Sequence, residues 1–214
     1  MIIISTDWHF VKFDKVSNRI HMDPRIDSWI NAVNRALNPG DTWIYLGDLI
    51  DSEIDEGAST YLKWINKINA TKKILLVGNN DRKPSEFYRS FFNEVGLVYV
   101  DRDTHTVLSH CPVRDRHGWI NVHGHIHHGQ SGYDDAGAFW KMYGINPDDG
   151  YINAFTWEPK PVSLTELLQR ERVSDIAVAP RYSKPKEYTA NLIDAASAAF
   201  DKMCAAQTED DCWD

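Results

Sequence analysis

Cysteine is scarce in this chain. Only Cys111, Cys204 and Cys212 are present, an odd number at spacings that match neither a zinc motif nor a disulfide framework. That argues against a disulfide-stapled secreted scaffold and against a thiolate metal site, so a reducing cytoplasm is the simplest expected compartment. Long apolar runs are missing too. No stretch approaches the ~20 residues of a membrane span, and Met1 to Ser5 lacks the basic start and the length of a secretory signal. Positive charge is in deficit: 23 Lys and Arg stand against 31 Asp and Glu, a formal net charge of -8. Non-specific nucleic-acid binding needs phosphates neutralised by Lys and Arg, and is not expected here. A local metal centre could still hold one phosphate group. Internal repeats and low-complexity tracts are absent as well.

What is present is an ordinary globular balance, 43% apolar and 25% charged over 214 residues. A domain of this length can bury roughly 70% of its unfolded surface and needs no staples. Ile2 to Ile4, Thr42 to Leu46 and Lys73 to Val77 read as buried strands. Between them, the segment from Pro24 to Leu37 has Ile26, Trp29, Ile30, Val33 and Leu37 at helical spacing, with Asp23 and Pro24 suited to N-cap and N1. Tyr61, Leu62, Ile65 and Ile68 mark a second helix, and Phe87 to Val95 a third. Val98 to Val100, Thr106 to Ser109, Trp119 to Val122 and Tyr151 to Trp157 read as further strands. Strand and helix alternate first and strands dominate later, which predicts an α/β chain with sheets inside and helices outside.

Past Leu168 the composition shifts, which divides the chain into a catalytic-sized domain over residues 1–168 and an extension over 169–214. The extension carries a predicted helix over Lys186 to Ala206, with Tyr188, Leu192, Ala196, Ala199, Phe200 and Met203 on one stripe, then an acidic tail. The helix could dock on its own domain, the favoured reading, or form a homodimer. Phe139, Trp140 and Tyr143, in the irregular stretch from Gly129 to Gly150, could form a lid; packing of that loop is the commoner use.

Five polar clusters follow strand-like segments: Asp7-Trp8-His9, Gly47-Asp48-Leu49-Ile50-Asp51, Gly78-Asn79-Asn80-Asp81, Ser109-His110-Cys111 and Gly124-His125-Ile126-His127. In layered α/β proteins, sites collect past the carboxyl ends of strands. Taken singly, most of these clusters are better read as turns, Asx caps or buried histidines. His123, His125, His127 and His128, four histidines in six residues, already favour metal. Carboxylate, imidazole and amide oxygen together suit Mn, Zn, Fe or Ni.

In this order, the clusters resemble the motif series D-x-H, G-D-x-x-D, G-N-H-D, an isolated His and G-H-x-H of the calcineurin-like metallophosphoesterase superfamily. Asp7-Trp8-His9-Phe10 and Trp157 to Leu164 resemble its small bacterial and phage members. The resemblance covers residues 1–168. It implies a four-layer αββα sandwich with a C-terminal helical extension. It implies two divalent metal ions, manganese favoured and zinc, iron or nickel as alternatives. Asp7, His9 and His127 would hold one, Asn79, His110 and His125 the other, and Asp48 would bridge them, with Asp51 in support. A hydroxide bridging the two ions would attack phosphorus.

One departure bears on chemistry. Asn80 stands where the family often has a His that protonates the leaving oxygen. An amide donates a hydrogen bond but has no useful pKa near neutrality. Asn80, Asp81, Arg82 and His128 are the candidate catalytic residues, Arg82 for a phosphate oxygen and His128 as a substitute proton donor, with His117 ranked beside it and His21 and His123 behind. The expected activity is a phosphodiesterase acting on a small phosphoester, a nucleotide among the candidates. The alternatives are a phosphomonoesterase or protein phosphatase, or a catalytically weak metal-stabilised binding protein.

Overall fold

The computed structural model describes residues 1–14, 16–50, 54, 58–126, 145, 150–154, 160–169 and 187–210, the last four in their backbone only. The chain is mixed α/β. Its larger sheet has the order β11-β1-β4-β5-β6, built from β1 (Ile2–Ser5), β4 (Thr42–Tyr45), β5 (Lys72–Leu76), β6 (Glu94–Gly96) and β11 (Val162–Ser163). The first four run parallel, and β11 pairs antiparallel with β1. The second sheet has the order β10-β9-β8-β7, from β7 (Val98–Asp101), β8 (Thr106–Ser109), β9 (Ile120–His123) and β10 (Tyr151–Asn153). Here β8, β9 and β10 are parallel, and β7 is antiparallel to β8.

Side-chain alternation along these strands decides the layers. Ile4, Ile44, Leu46, Ile74 and Leu76 on one face of the large sheet pack with Leu108, Val122 and Ile152 of the other sheet. The opposite face presents Ile3, Trp43, Tyr45 and Leu75 to Ile26, Trp29, Ile30 and Val33 of α1 (Ile26–Ala36) and to α2 (Ala58–Leu62) with its 3-10 continuation Lys63–Lys67. Beyond the small sheet, Val107 meets Ala196 and Phe200 of α5 (Glu187–Asp210). Two short helices, α3 (Ser85–Tyr88) and α4 (Leu164–Gln169), complete the elements. The stacking is compatible with the sandwich expected from the sequence. No helix among the described residues is long and apolar enough to cross a membrane.

Several elements depart from the sequence pattern. Helix α1 starts at Ile26 because Asp23, Pro24 and Arg25 form a turn: the Asp23 carboxylate accepts from the Arg25 amide at 2.9 Å, and its carbonyl from the Ile26 amide at 3.2 Å. Expected helix Phe87 to Val95 stops early. Asn93 clamps the chain to β5, its amide donating to Lys73 O at 2.9 Å and its Oδ1 accepting from the Lys73 amide at 2.7 Å. Val95 therefore continues as β6 beside Leu75. The hairpin of β2 (Val11–Asp14) and β3 (Arg19–Met22) was not indicated by periodicity. Its turn is held by Asp14, which accepts from the Val16 amide at 2.9 Å and the Ser17 hydroxyl at 2.5 Å.

The terminal helix also corrects its predicted stripe. Thr189, Leu192, Ile193, Ala196, Ser197 and Phe200 are buried, whereas Tyr188 and Met203 are 40% and 41% exposed. The helix docks on its own chain. Arg114 Nε donates to Asp194 at 2.6 Å, the Arg114 amide to the Ser197 hydroxyl at 2.9 Å, and His117 Nε2 pairs with Asp201 at 2.7 Å.

Candidate metal centre

All five polar clusters leave the carboxyl ends of parallel strands: β1, β4 and β5 are neighbours in one sheet, β8 and β9 in the other. The loops after them meet at the seam between the sheets. Close approach sets which residues can stand there. A Cβ on Gly47 would lie 2.6 Å from Gly78 N and 2.7 Å from His110 Nδ1, and one on Gly78 would lie 2.5 Å from Asp48 N. Neither position has room for a side chain, so both glycines are required by packing.

Asp48 is the centre of the arrangement and is 2% exposed. Its Oδ1 accepts from the Asn80 amide at 2.9 Å and lies 3.6 Å from His110 Nε2. Its Oδ2 accepts from Asn80 Nδ2 at 2.8 Å and lies 3.6 Å from His9 Nε2. One carboxylate thus turns each oxygen towards a different imidazole.

On the Oδ1 side, His110 Nδ1 donates to the Leu46 carbonyl at 2.7 Å. This fixes the ring and directs Nε2 inward, the arrangement that commonly orients a ligating histidine. Nε2 lies 3.0 Å from Asn79 Oδ1 and 3.0 Å from His125 Nδ1. Burial alone would push the His110 imidazole down, but Asp48, Asp7, the Leu46 carbonyl and Asp81 together outweigh it and raise its pKa. The pocket therefore favours positive charge at this point.

On the Oδ2 side, ligand-type atoms of Asp7, His9 and Asp48 lie within 4.8 Å of one another. Asp7 Oδ2 accepts from the His125 amide at 2.9 Å and from the Thr6 hydroxyl, which joins the β1 loop to the β9 loop. The His9 amide donates to Asp48 O at 3.2 Å and the Asp7 amide to Gly47 O at 3.1 Å. Behind this loop, Trp8 packs on Phe10, Trp29 and Tyr45, with centroids 4.8, 6.0 and 5.6 Å away. The Trp8 amide donates to the Tyr45 hydroxyl at 2.9 Å.

Four of these residues adopt a left-handed backbone: Asp7 (φ 53°), His9 (φ 43°), Asp48 (φ 59°) and His125 (φ 64°). Non-glycine residues rarely do so, and such strain persists where surroundings over-determine it, often at functional sites. Nothing in residue type or spacing announces this feature.

Asp81, expected among the catalytic residues, faces the backbone instead. Its Oδ2 accepts from the Asp48 and Gly78 amides at 2.7 and 2.9 Å, and its Oδ1 from the Leu49 amide at 3.0 Å. It staples the β4 loop to the β5 loop, which is a positioning task. Burial, with Asp48 close by, pushes its carboxyl up to about 7 despite those amides. Asn80 spends its amide on Asp48. Arg82 is exposed, donates through Nε to Asn79 O at 3.2 Å and lies over the Tyr188 ring at 4.7 Å. Of the substitute proton donors, His117 is engaged with Asp201, His21 is an exposed neighbour of Asp14, and His123 is buried with Nδ1 2.9 Å from Gly124 O. His127, His128 and Asp51 lie outside the described residues, as do Phe139, Trp140, Tyr143 and Trp157.

A second grouping also satisfies metal-ligand distances, namely His110, Cys111 and His125. Asn79 is the better third donor. The Cys111 side chain belongs to an apolar cluster with Ile126, Ile145, Tyr151, Leu192 and Ile193, and burial, then Asp48 and Asp7, pushes its thiol far up. A thiolate is the form that binds metal. Asn79 Oδ1 needs no deprotonation and already points at His110 Nε2. The donors are buried carboxylates, imidazoles and an amide oxygen, and this set fits a divalent transition metal.

No family model matches the chain, and no curated protein does. Among solved structures, the protein of unknown function AQ665 from Aquifex aeolicus is 23% identical over 79% of this chain and 98% of its own, with a TM-score of 0.53. Nuclease MPE of Pseudomonas putida is 19% identical over 59% of this chain and 61% of its own, with a TM-score of 0.40. The likeness to the Aquifex protein concerns the fold alone, and the likeness to the nuclease is too slight to argue from.

Proposed function

We propose that the chain is a metal-dependent phosphoesterase of the calcineurin-like kind, acting by preference on phosphodiesters, with two divalent ions at the seam between its sheets. The observation that carries this reading is Asp48, whose two oxygens address His9 on one side and His110 on the other, each at 3.6 Å. That is the disposition a bridging carboxylate requires. Asp7 and His9, joined by His127, would hold one ion, and Asn79, His110 and His125 the other. Bound there, the ions would supply positive charge to the phosphoryl oxygens and make a water nucleophilic at neutral pH.

The chain's own residues set how that chemistry is aimed. Asn80 holds both Asp48 oxygens, through its backbone amide at 2.9 Å and its side chain at 2.8 Å. Asp81 fixes the two loops that present Asp48 and Asn79. The Leu46 carbonyl selects the His110 tautomer with a lone pair on Nε2. An asparagine amide committed to Asp48 is no general acid, and a missing general acid typically forfeits ~10²–10⁴-fold in rate. Esters with good leaving groups lose least by this, which supports a diester or an activated ester as substrate.

The test is hydrolysis of bis-p-nitrophenyl phosphate by metal-stripped protein, with Mn, Ni, Zn or Mg restored in turn, beside the mono-ester and an Asp48→Asn control. Metal-dependent diester turnover that the control lacks is the expected result. Faster mono-ester turnover would reassign the substrate class, and no turnover with any metal would contradict the activity.

A further inference from the structure

Arg82 and Tyr188 are more than a hundred residues apart in sequence. Arg82 follows the β5 loop that presents Asn79 and Asp81, and Tyr188 sits in the first turn of α5. The structure brings them together. The guanidinium carbon lies 4.7 Å from the Tyr188 ring centroid, within the range of a cation–π contact. On its other side, Arg82 Nε donates to the Asn79 carbonyl at 3.2 Å.

Among the described residues, the Arg82 Nη groups make no hydrogen bond or ion pair, and the residue is exposed. A planar guanidinium matches two oxygens of a phosphate, and it remains charged at every relevant pH. Its position also counts. Arg82 grips the backbone carbonyl of Asn79, and the side-chain Oδ1 of that same residue faces His110 Nε2 at 3.0 Å, so Arg82 is anchored on a residue of the cradle. A long exposed side chain would otherwise sample many rotamers. Burial raises the pKa of the Tyr188 hydroxyl, Arg82 opposes this, and Asp81 and Asp48 add to it, so the ring lies within electrostatic reach of the cradle. The exposure of Tyr188, 40%, departs from the stripe predicted for the helix, whose packing face is taken by its neighbours.

Resting on the phosphoesterase reading, we propose that Tyr188 is a positioning residue: it shelves the Arg82 guanidinium at the rim of the metal cradle, where the Nη groups take a non-bridging phosphoryl oxygen. The terminal helix then completes the substrate site as well as packing on the sheet. The chemical class recognised is a phosphoryl anion, whatever its ester groups.

The experiment compares wild type, Tyr188→Ala, Tyr188→Phe, Arg82→Ala and the Arg82→Ala/Tyr188→Ala double variant, all metal-loaded. It reads KM and kcat with bis-p-nitrophenyl phosphate, the Kd of inorganic phosphate by calorimetry, and Tm. Tyr188→Ala should raise KM and the phosphate Kd by about three- to fivefold, the size of an exposed cation–π contact, with kcat much less changed. Arg82→Ala should raise both by about tenfold or more, as loss of a charge-assisted hydrogen bond does. Adding Tyr188→Ala to Arg82→Ala should change nothing further, and Tyr188→Phe should recover the wild-type KM. If Tyr188→Ala lowers only Tm, or the two effects simply add, the proposal is overturned while the activity stands. If wild type turns over no ester, the activity falls and the phosphate Kd decides: the same pattern upholds the Arg82–Tyr188 pair, and absence of phosphate binding overturns it.

Discussion

The two sheets contribute differently to the cradle. The carboxylates Asp7, Asp48 and Asp81 all leave the five-stranded sheet, and they are held largely from within it: Asp81 by three backbone amides, Asp48 by Asn80, and the Asp7 loop by Gly47 and the aromatic cluster around Trp8. The imidazoles His110 and His125 leave the four-stranded sheet, and they take their bearings from the first. His110 rests on the Leu46 carbonyl, and the His125 amide rests on Asp7. One side is a self-contained frame; the other is read against it. Damage to the frame should therefore disturb both halves of the site, whereas damage behind the second sheet should cost stability before it costs chemistry.

The largest expected effect is at the shared residue. Asp48→Asn should lower metal-dependent turnover by more than the ~10–100-fold that loss of a supporting hydrogen bond costs. Steady-state hydrolysis reads it, and a variant with near-normal rates would break the comparison at its centre. Behind the second sheet, Phe200→Ala removes a fully buried ring that meets Trp119 at 5.8 Å. It should destabilise the fold by about 3–5 kcal/mol in urea unfolding while the folded fraction keeps its metal affinity. A matching loss of affinity would mean that the imidazole side depends on the helix more than on the frame.

Asp81 gives a pH test. Its carboxyl is pushed from 3.8 up to about 7, so the native metal-free chain prefers it protonated. That contribution to stability is complete below the unfolded value and is lost as pH rises through about 7. Metal-stripped wild type should lose Tm across this window, and Asp81→Asn should lack that part of the slope although its overall Tm is lower. An unchanged slope in the variant would remove Asp81 from the account. The smallest effect should be Asn80→Ala, roughly tenfold in metal affinity or rate, because the backbone amide of residue 80 still holds one Asp48 oxygen.

The frame was also the more legible half. Three β-branched or aliphatic strands, each running into a Gly or Asp cluster, announce both the parallel sheet and the place where Asp7, Asp48 and Asn79 gather. Four clustered histidines announce the other half. The missing parts are those that spacing does not encode. Left-handed φ at Asp7, His9, Asp48 and His125 is imposed by loop closure across the seam. Asp81 reads as a catalytic residue by position, and only its three amide partners reveal a staple. Val95 fits a helical period as well as a strand, and Asn93 decides between them. Tyr188 fits the apolar stripe of its helix, yet the ring turns to Arg82.

Calorimetric titration of metal-stripped protein with Mn²⁺ tests the central claim most directly, with Asp48→Asn alongside. The account predicts two ions per wild-type chain and weakened binding of both in the variant, since one carboxylate serves both halves. Wild type that takes up no ion, or a variant that binds as wild type does, would contradict it.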